Sequence, residues 1–379
     1  MPPAGATEPH VAVIGAGPGG LATAYCLGRR GIAYTLIERG PSILTGLRRI
    51  DPGMQLLSPR AVSRLPGMGR APSFDRRARR GRRDRGQAAT AAYWSFADYV
   101  ARLEGYAADH RITAVVDTAV TRVRRDGRGF ALELRRPDGG DGTLHATHVV
   151  NCAGIISTPR LPAEFDPRAV RWRWKHSLDV RAGDLAGARR LLVVGGGASA
   201  AEVLELWLDV RGDAQEAWLS LRSPLFAFTN PILGLDVHCW IWLPERLPSR
   251  WFGRRASRLR EAMNGSRVLP AVRRGLIRKV PAAALYDGWE VRLVDGRSLA
   301  PDLVVFATGF RYTAAHLDGL VGPVRRCEST ATPGLYLLGY RFGRSFASPY
   351  IRGLGRDAAF VARRIARTRS IGAKGWETR

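Results

Sequence analysis

Acids, lysines and paired thiols are scarce in this chain. Its 379 residues carry 33 Asp and Glu against 59 Lys and Arg, a formal charge of +26. Lysine supplies only Lys175, Lys279 and Lys374, so the excess is arginine. Such a charge suits a polyanion, but no repeat, zinc-finger spacing or recognition-helix pattern accompanies it, so no nucleic-acid partner is expected. The densest basic run, residues 70–86, holds eight Arg and two Asp and reads as a solvated loop. The four cysteines, Cys26, Cys152, Cys239 and Cys327, are scattered with no CxxC spacing. That argues against a disulfide scaffold, a zinc ribbon and a dithiol redox centre. Residues 11–28 lack charge but are broken by Gly15, Gly17, Pro18, Gly19 and Gly20, too short and too irregular for a membrane span. The N-terminus has no basic n-region, so a cytoplasmic protein is the default expectation. No Ser/His/Asp set, paired acids or metal cluster stands out, so no side chain is assigned a catalytic role and no metal is expected.

What is present is an ordinary globular composition, 45% hydrophobic and 24% charged, with 43 glycines that favour tight turns. The length suggests two domains or one large α/β unit. The apolar run His10–Ile14 reads as a buried parallel strand, Leu21–Leu27 as a helix and Ala33–Ile37 as a second strand. Between the first strand and the helix lies Gly15-Ala-Gly17-Pro18-Gly19-Gly20, and Glu38 follows the second strand. This is the strand–turn–helix context that a dinucleotide fingerprint requires. Gly15 permits the tight turn, Gly17 lets backbone approach a pyrophosphate, and Gly20 lets helix and strand pack closely. The helix N-terminus offers N–H groups to phosphate, and Glu38 can accept hydrogen bonds from a ribose diol.

A second such unit follows. Arg190–Val194 reads as a strand, Gly195, Gly197 and Ala200 fill the three fingerprint positions, and Ala217–Leu221 leads into Arg222-Ser223. Arginine in place of the acid favours a 2′-phosphate, so the second site should prefer NADP over NAD. Two dinucleotide sites on one chain suggest hydride transfer from a nicotinamide to a flavin.

GAGPGG at 15–20, NCAG at Asn151–Gly154, GGGASAAE at 195–202 and FATGF at Phe306–Phe310 together resemble the class B flavoprotein monooxygenases. That group contains flavin-containing monooxygenases, YUCCA-type enzymes and Baeyer–Villiger enzymes. The resemblance spans nearly the whole chain. It implies an α/β fold of two Rossmann-type domains, an FAD domain (1–160 and 299–379) with an NADPH domain (161–298) inserted. It also implies FAD contacts from Gly15, Gly17, Pro18, Gly19, Gly20, Glu38, Arg39, Val120, Ala153, Gly154 and Gly339. NADPH contacts would come from Gly195, Gly197, Ala198, Ser199, Arg222 and Ser223, and close cofactor contact from Ala307, Thr308 and Gly309. The implied partners are O2 and a small organic substrate, oxygenated through a C4a-(hydro)peroxyflavin. The residues leave open an NAD(P)H-dependent reductase or oxidase, a binding module without turnover, and a monomeric or homodimeric state.

Some positions depart from the group's pattern. His176-Ser177 survives from its signature, but Val170 and Trp172 replace Phe and Gly; Gly46 is not followed by Trp; and Ser58 stands where some members have Asn. The stretch 224–251 is rich in aromatics (Phe226, Phe228, Trp240, Trp242, Trp251) and reads either as a substrate wall or as packing. Trp172 and Trp174 carry the same two readings. Arg356–Arg367 reads as a closing amphipathic helix with Ala358, Ala359, Val361 and Ile365 inward.

Overall fold

The computed structural model describes residues 10–69, 93–233, 235–241, 243–247, 263–341 and 343–374. The basic run 70–86 and the side chains of Trp242 and Trp251 lie outside the described residues. The described residues include two main sheets with parallel central strands and helices packed on them, as the α/β expectation requires. The first sheet runs in the order Ala33–Ile37, His10–Ile14, His148–Asn151, Leu335–Leu337, with the short Glu328–Ser329 and Val324–Arg325 added antiparallel. The second runs Arg173–His176, Leu303–Phe306, Arg190–Val194, Glu216–Leu221, Ile277–Pro281, all parallel.

The central strands are apolar along most of their length because they are covered on both faces. Val11 and Val13 face the helices Pro18–Gly28 and Ile351–Lys374, through Leu21, Leu27, Val361 and Ile365. Ala12 and Ile14 face the antiparallel meander Ala119–Asp126, Gly129–Arg135, Asp141–Ala146, through Val123, Phe130 and Leu132. In the second sheet Leu191 and Val193 pack on Val203, Leu204 and Trp207 of the helix Ala198–Val210. Leu192 and Val194 pack on the other side with Phe165, Trp172, Tyr286 and Phe306. The rings of Phe165 and Phe306 sit 4.6 Å apart, and Trp172 is 5% exposed. Trp172 therefore belongs to the packing under this sheet, whereas Trp174 is only half-buried beside it.

Three details differ from the sequence expectations. Leu303–Phe306, expected in the returning segment 299–379, is a central strand of the second sheet. A fully apolar run fits either sheet by pattern alone. The chain crosses between sheets at Thr158–Pro159 and returns at Phe310–Arg311, and these two passages pair antiparallel with each other. The final helix begins five residues earlier than expected, and its fully buried stripe is Ala358, Val361, Ala362 and Ile365, the i, i+3, i+4, i+7 set, with Ala359 only half-buried. Arg49 forms a two-pronged ion pair with Asp179, and Asp51 accepts the Ala182 N–H at 2.9 Å, tying the loops of the first sheet to those of the second. Among the described residues no helix is long and apolar enough to cross a membrane.

Candidate functional site

The first glycine loop is built around forced close approaches. Gly15 has φ +95°, and a Cβ there would lie 2.7 Å from the Cys152 carbonyl oxygen. A Cβ at Gly20 would collide with the Gly15 carbonyl oxygen. Gly17 is different: a Cβ would meet nothing within 4 Å, so the loop opens there. The helix starts at Pro18 with Gly17 as its N-cap and no side-chain cap. Its first N–H groups, together with the positive end of the helix dipole, face that open space, which suits a pyrophosphate. Proline at the first position removes a donor that would otherwise be unpaired. The far side is closed by Leu354 of the final helix, 3.6 Å from a Cβ at Gly19 and 3.7 Å from one at Gly339 (φ +72°).

Glu38 is buried, and its two carboxylate oxygens accept the Ala16 and Gly40 N–H groups at 2.8 and 3.0 Å. Each oxygen retains a lone pair, so a ribose diol can still be bound. Arg39 is exposed beside His316. The backbone that runs beside Glu38 is Val115–Thr118: the Glu38 N–H donates to Val115 O and the Thr118 N–H to Glu38 O, at 2.8 and 2.9 Å. Val120 lies farther along, inside the ladder opposite Leu134. Ala153 and Gly154 (φ +84°) follow Cys152, whose N–H pairs with Ile14 O at 2.8 Å. Asn151, an unusual residue in that box, is fully buried. It donates to Thr313 O and the Tyr312 hydroxyl, and its Oδ1 accepts from His316 Nε2 at 3.1 Å. The departure at this position thus anchors the loop that returns from the second sheet. Cys152 beside it is inert: burial raises its pKa to about 12.

The second loop repeats the design. Gly195 has φ +129°, and a side chain there would collide with the Ala307 carbonyl oxygen. Gly197 is again open to 4 Å and again the uncapped N-cap of a helix, with Ala198 and Ser199 half-buried in its first turn. Arg222 is exposed directly after Glu216–Leu221. With Ser223 and Lys279 it lines a cleft of about 590 Å³ that lies against the carboxyl ends of two neighbouring strands. That is where open α/β sheets bind ligands. Lys279 escaped sequence inspection because only strand pairing brings it beside Arg222.

Ala307, Thr308 and Gly309 (φ +84°) leave the second sheet toward the crossover, where Thr308 donates to Arg160 O and the Arg160 N–H to Gly309 O. A second cleft of about 330 Å³ lies here, lined by Pro159, Leu161, Trp174, Lys175, His176 and Asp179. His176 is 3% exposed and its pKa is lowered by burial. Its Nε2–H donates to Gly309 O at 3.1 Å and its Nδ1 accepts the Leu178 N–H at 3.3 Å, so the ring positions the turn.

The fold also assembles what inspection of the sequence did not find. Ser58, His238 and Asp236 are hydrogen-bonded in line, next to Tyr93, Asn230, Glu245 and Arg352. Sequence separations of up to 294 residues hide this set from any local pattern. In the aromatic stretch, Phe226 and Trp240 are 58% and 47% exposed and Phe228 is half-buried.

The pyridine nucleotide-disulphide oxidoreductase family matches residues 12–208. The indole-3-pyruvate monooxygenase YUCCA8 of Oryza sativa subsp. indica is 26% identical, the match covering 93% of this chain and 90% of the relative. An uncharacterised CzcO-like oxidoreductase of Geobacillus kaustophilus is 24% identical over 93% of this chain and 96% of its own. Among solved structures, a flavin-containing monooxygenase from Stenotrophomonas maltophilia superposes with TM-score 0.71 at 24% identity, covering 95% and 98% of the two chains. The ornithine N-hydroxylase of Kutzneria sp. 744 gives TM-score 0.72 at 19% identity, covering 96% and 100%. These structural likenesses are likenesses of fold.

Proposed function

The chain belongs to the pyridine nucleotide-disulphide oxidoreductase family, and from that premise we propose that it is an FAD-dependent, NADPH-using monooxygenase that transfers one oxygen atom of O2 to a small apolar or aromatic substrate. The observation that carries this reading is the pair of open, glycine-lined cradles, one ending in an acid and one in two cations. Both fit a dinucleotide: each offers uncapped helix N–H groups where a Cβ would have room.

When bound, FAD would supply the hydride acceptance from NADPH and the activation of O2 that no side chain here can provide. The chain supplies binding, orientation and exclusion of water. Gly15 to Gly20, Ala153, Gly154 and Gly339 hold the flavin nucleotide, with Glu38 on its ribose. Gly195, Gly197, Ala198 and Ser199 hold the pyridine nucleotide, with Arg222, Ser223 and Lys279 around its 2′-phosphate. Arg39 and Val120 would add contacts to the same nucleotide, with Val115–Thr118 beside Glu38 along the adenine edge. His176 fixes the Gly309 turn between the two sites. The curated relatives named as indole-3-pyruvate monooxygenases, together with Phe226, Phe228 and Trp240, favour an aromatic acceptor. The missing CxxC disfavours the dithiol chemistry for which the family is named.

The test is direct. Purified protein should be yellow, carry one FAD per chain and bleach with NADPH without air. With indole-3-pyruvate as first probe, labelled O2 should place one labelled atom in the organic product. A colourless protein that takes up no FAD and leaves NADPH untouched overturns the reading.

A further inference from the structure

The stretch from Phe226 to Leu243 is packed inside out. Asn230, Asp236 and His238 turn toward the protein. Asp236 accepts from the Tyr93 hydroxyl and from Asn230 Nδ2, and its other oxygen pairs with His238 Nδ1 at 2.7 Å. The Asp236 and His238 side chains are only 18% and 10% exposed. Asn230 Oδ1 accepts the Val237 N–H at 2.9 Å, and the Asn230 backbone exchanges two bonds with the Ser266 hydroxyl. The apolar side chains face outward instead. Phe226, Leu233, Leu235, Trp240 and Leu243 are exposed, Leu233 to 86% and Leu243 to 60%. Nine large apolar side chains are exposed among the described residues, and five of them fall in this one stretch, which marks it as a surface for contact. Leu233 sits at the tip of a turn closed by paired Ile232 and Leu235 backbone bonds of 2.8 and 3.0 Å, with φ +49°. Leucine is poorly suited to this left-handed conformation, where glycine or asparagine is usual. Trp240 lies against the same turn, its Nε1–H donating to Ile232 O at 3.2 Å. An apolar tip is thus held out on a hydrogen-bonded polar base.

Positive charge borders this tip. Residues 70–92 and 248–262, outside the described residues, hold eight Arg against two Asp and five Arg against one Glu. The chain returns from the first stretch at Tyr93, which bonds to Asp236. It returns from the second at Met263, whose N–H donates to Phe226 O at 2.9 Å. We propose that the Phe226–Leu243 patch docks the chain on an anionic lipid surface, with Leu233, Trp240 and Leu243 entering the boundary between headgroups and acyl chains.

Charge and shape both select this occupant. The formal charge of +26 is densest in the two stretches that rejoin the chain beside the patch, and it attracts the chain to anionic headgroups. A bilayer takes up projecting leucines without a matching groove, and tryptophan is favoured at headgroup depth. A second copy of the chain is a poorer occupant, because two such chains would repel where their charge is densest. A small substrate is poorer too, since none of the five side chains lines either cleft described above. The docking goes beyond the monooxygenase reading, and its test needs neither NADPH nor turnover.

The purified full chain is floated with phosphatidylcholine vesicles containing about 30% phosphatidylglycerol, at about 0.15 M salt. Wild type should float with them. The double variant Leu233→Ser/Leu243→Ser has the same charge and should partition at least about tenfold more weakly. Trp289→Ser, an exposed apolar position outside the patch, should float as wild type does. Vesicles with brominated acyl chains should quench tryptophan fluorescence, and Trp240→Phe should lessen that quench. All variants should melt with wild type, because the replaced side chains are exposed. Wild type that stays below the vesicles overturns the proposal. So does equal flotation of the double variant, which would mean that charge alone holds the chain. A double variant that floats like wild type but loses a dimer seen in sedimentation would assign the patch to a second copy, and one that only raises the KM of the oxygen acceptor would assign it to substrate; either result overturns the proposal. Failure to take up FAD leaves this test intact and sinks only the monooxygenase reading.

Discussion

At the scale of single residues, the glycines of the first loop divide into those that make the turn and those that leave room. Gly15→Ala places a Cβ 2.7 Å from backbone at φ +95°, so it should destabilise the flavin-free chain by about 1–3 kcal/mol in urea melts. Gly17→Ala meets nothing within 4 Å. It should change stability by less than about 1 kcal/mol yet weaken FAD uptake at least about tenfold, because its methyl group occupies the space left for phosphate. If Gly17→Ala binds FAD as wild type does, the open side of the loop is not the phosphate site. In the second loop, Arg222→Glu should raise the KM for NADPH by about 10–100-fold, the loss of one charge-assisted contact, while that for NADH barely moves. Lys279→Ala should act in the same direction and more weakly. Equal responses to the two nucleotides would remove Arg222 and Lys279 from the phosphate site.

At the scale of elements, the final helix closes the first cradle from a stripe it buries completely. Ile365 is fully buried among the core residues that also hold Leu21 and Val13. Ile365→Ala should therefore cost about 2–5 kcal/mol in thermal or urea unfolding and loosen FAD through the displaced Leu354, whereas Arg363→Ala on the exposed face should be nearly neutral. Both glycine loops and their strand–helix contexts were legible in the sequence because each is local: some thirty residues contain the turn, the dipole and the acid or arginine that follows. The helix stripe was legible too, save for Ala362 in place of Ala359, since alanine at either position satisfies the periodicity. The placing of Leu303–Phe306 was not, because an all-apolar run carries no mark of which sheet it enters. Nor was the approach of Lys279 to Arg222, or of Ser58 to His238, since those contacts exist only after strands and segments pair. Trp172 shows the converse: it was visible in the sequence, but only its burial against Phe165 decided between a ligand wall and a core.

At the scale of the whole molecule, buried titratable groups set opposing slopes of stability against pH. Burial and the nearby Arg39 push His316 down to about 4, and burial also lowers His148 and His176. Between the unfolded value near 6.5 and that folded value, the unfolded chain binds a proton that the native state refuses, so the His316 contribution falls as pH drops through this window. Glu205 runs the other way. Burial lifts it to about 7, with Asp209 reinforcing the rise and Arg267 opposing it, and Asp357 is raised by the same cause. From pH 7 down to 4.5 the native state holds the Glu205 proton that the unfolded chain has released, so acidification there is stabilising. Either group is worth up to about 3 kcal/mol, so the wild-type curve should be flatter than its parts. Single variants expose them. Glu205→Gln should be more stable than wild type at pH 8, with the difference gone by pH 4.5. His316→Gln should instead gain on wild type as pH falls from 6.5 to 4, keeping a donor for Asn151. Melting curves of the three proteins across that range check both signs, and parallel curves would mean that neither group is held away from its ordinary value by the fold.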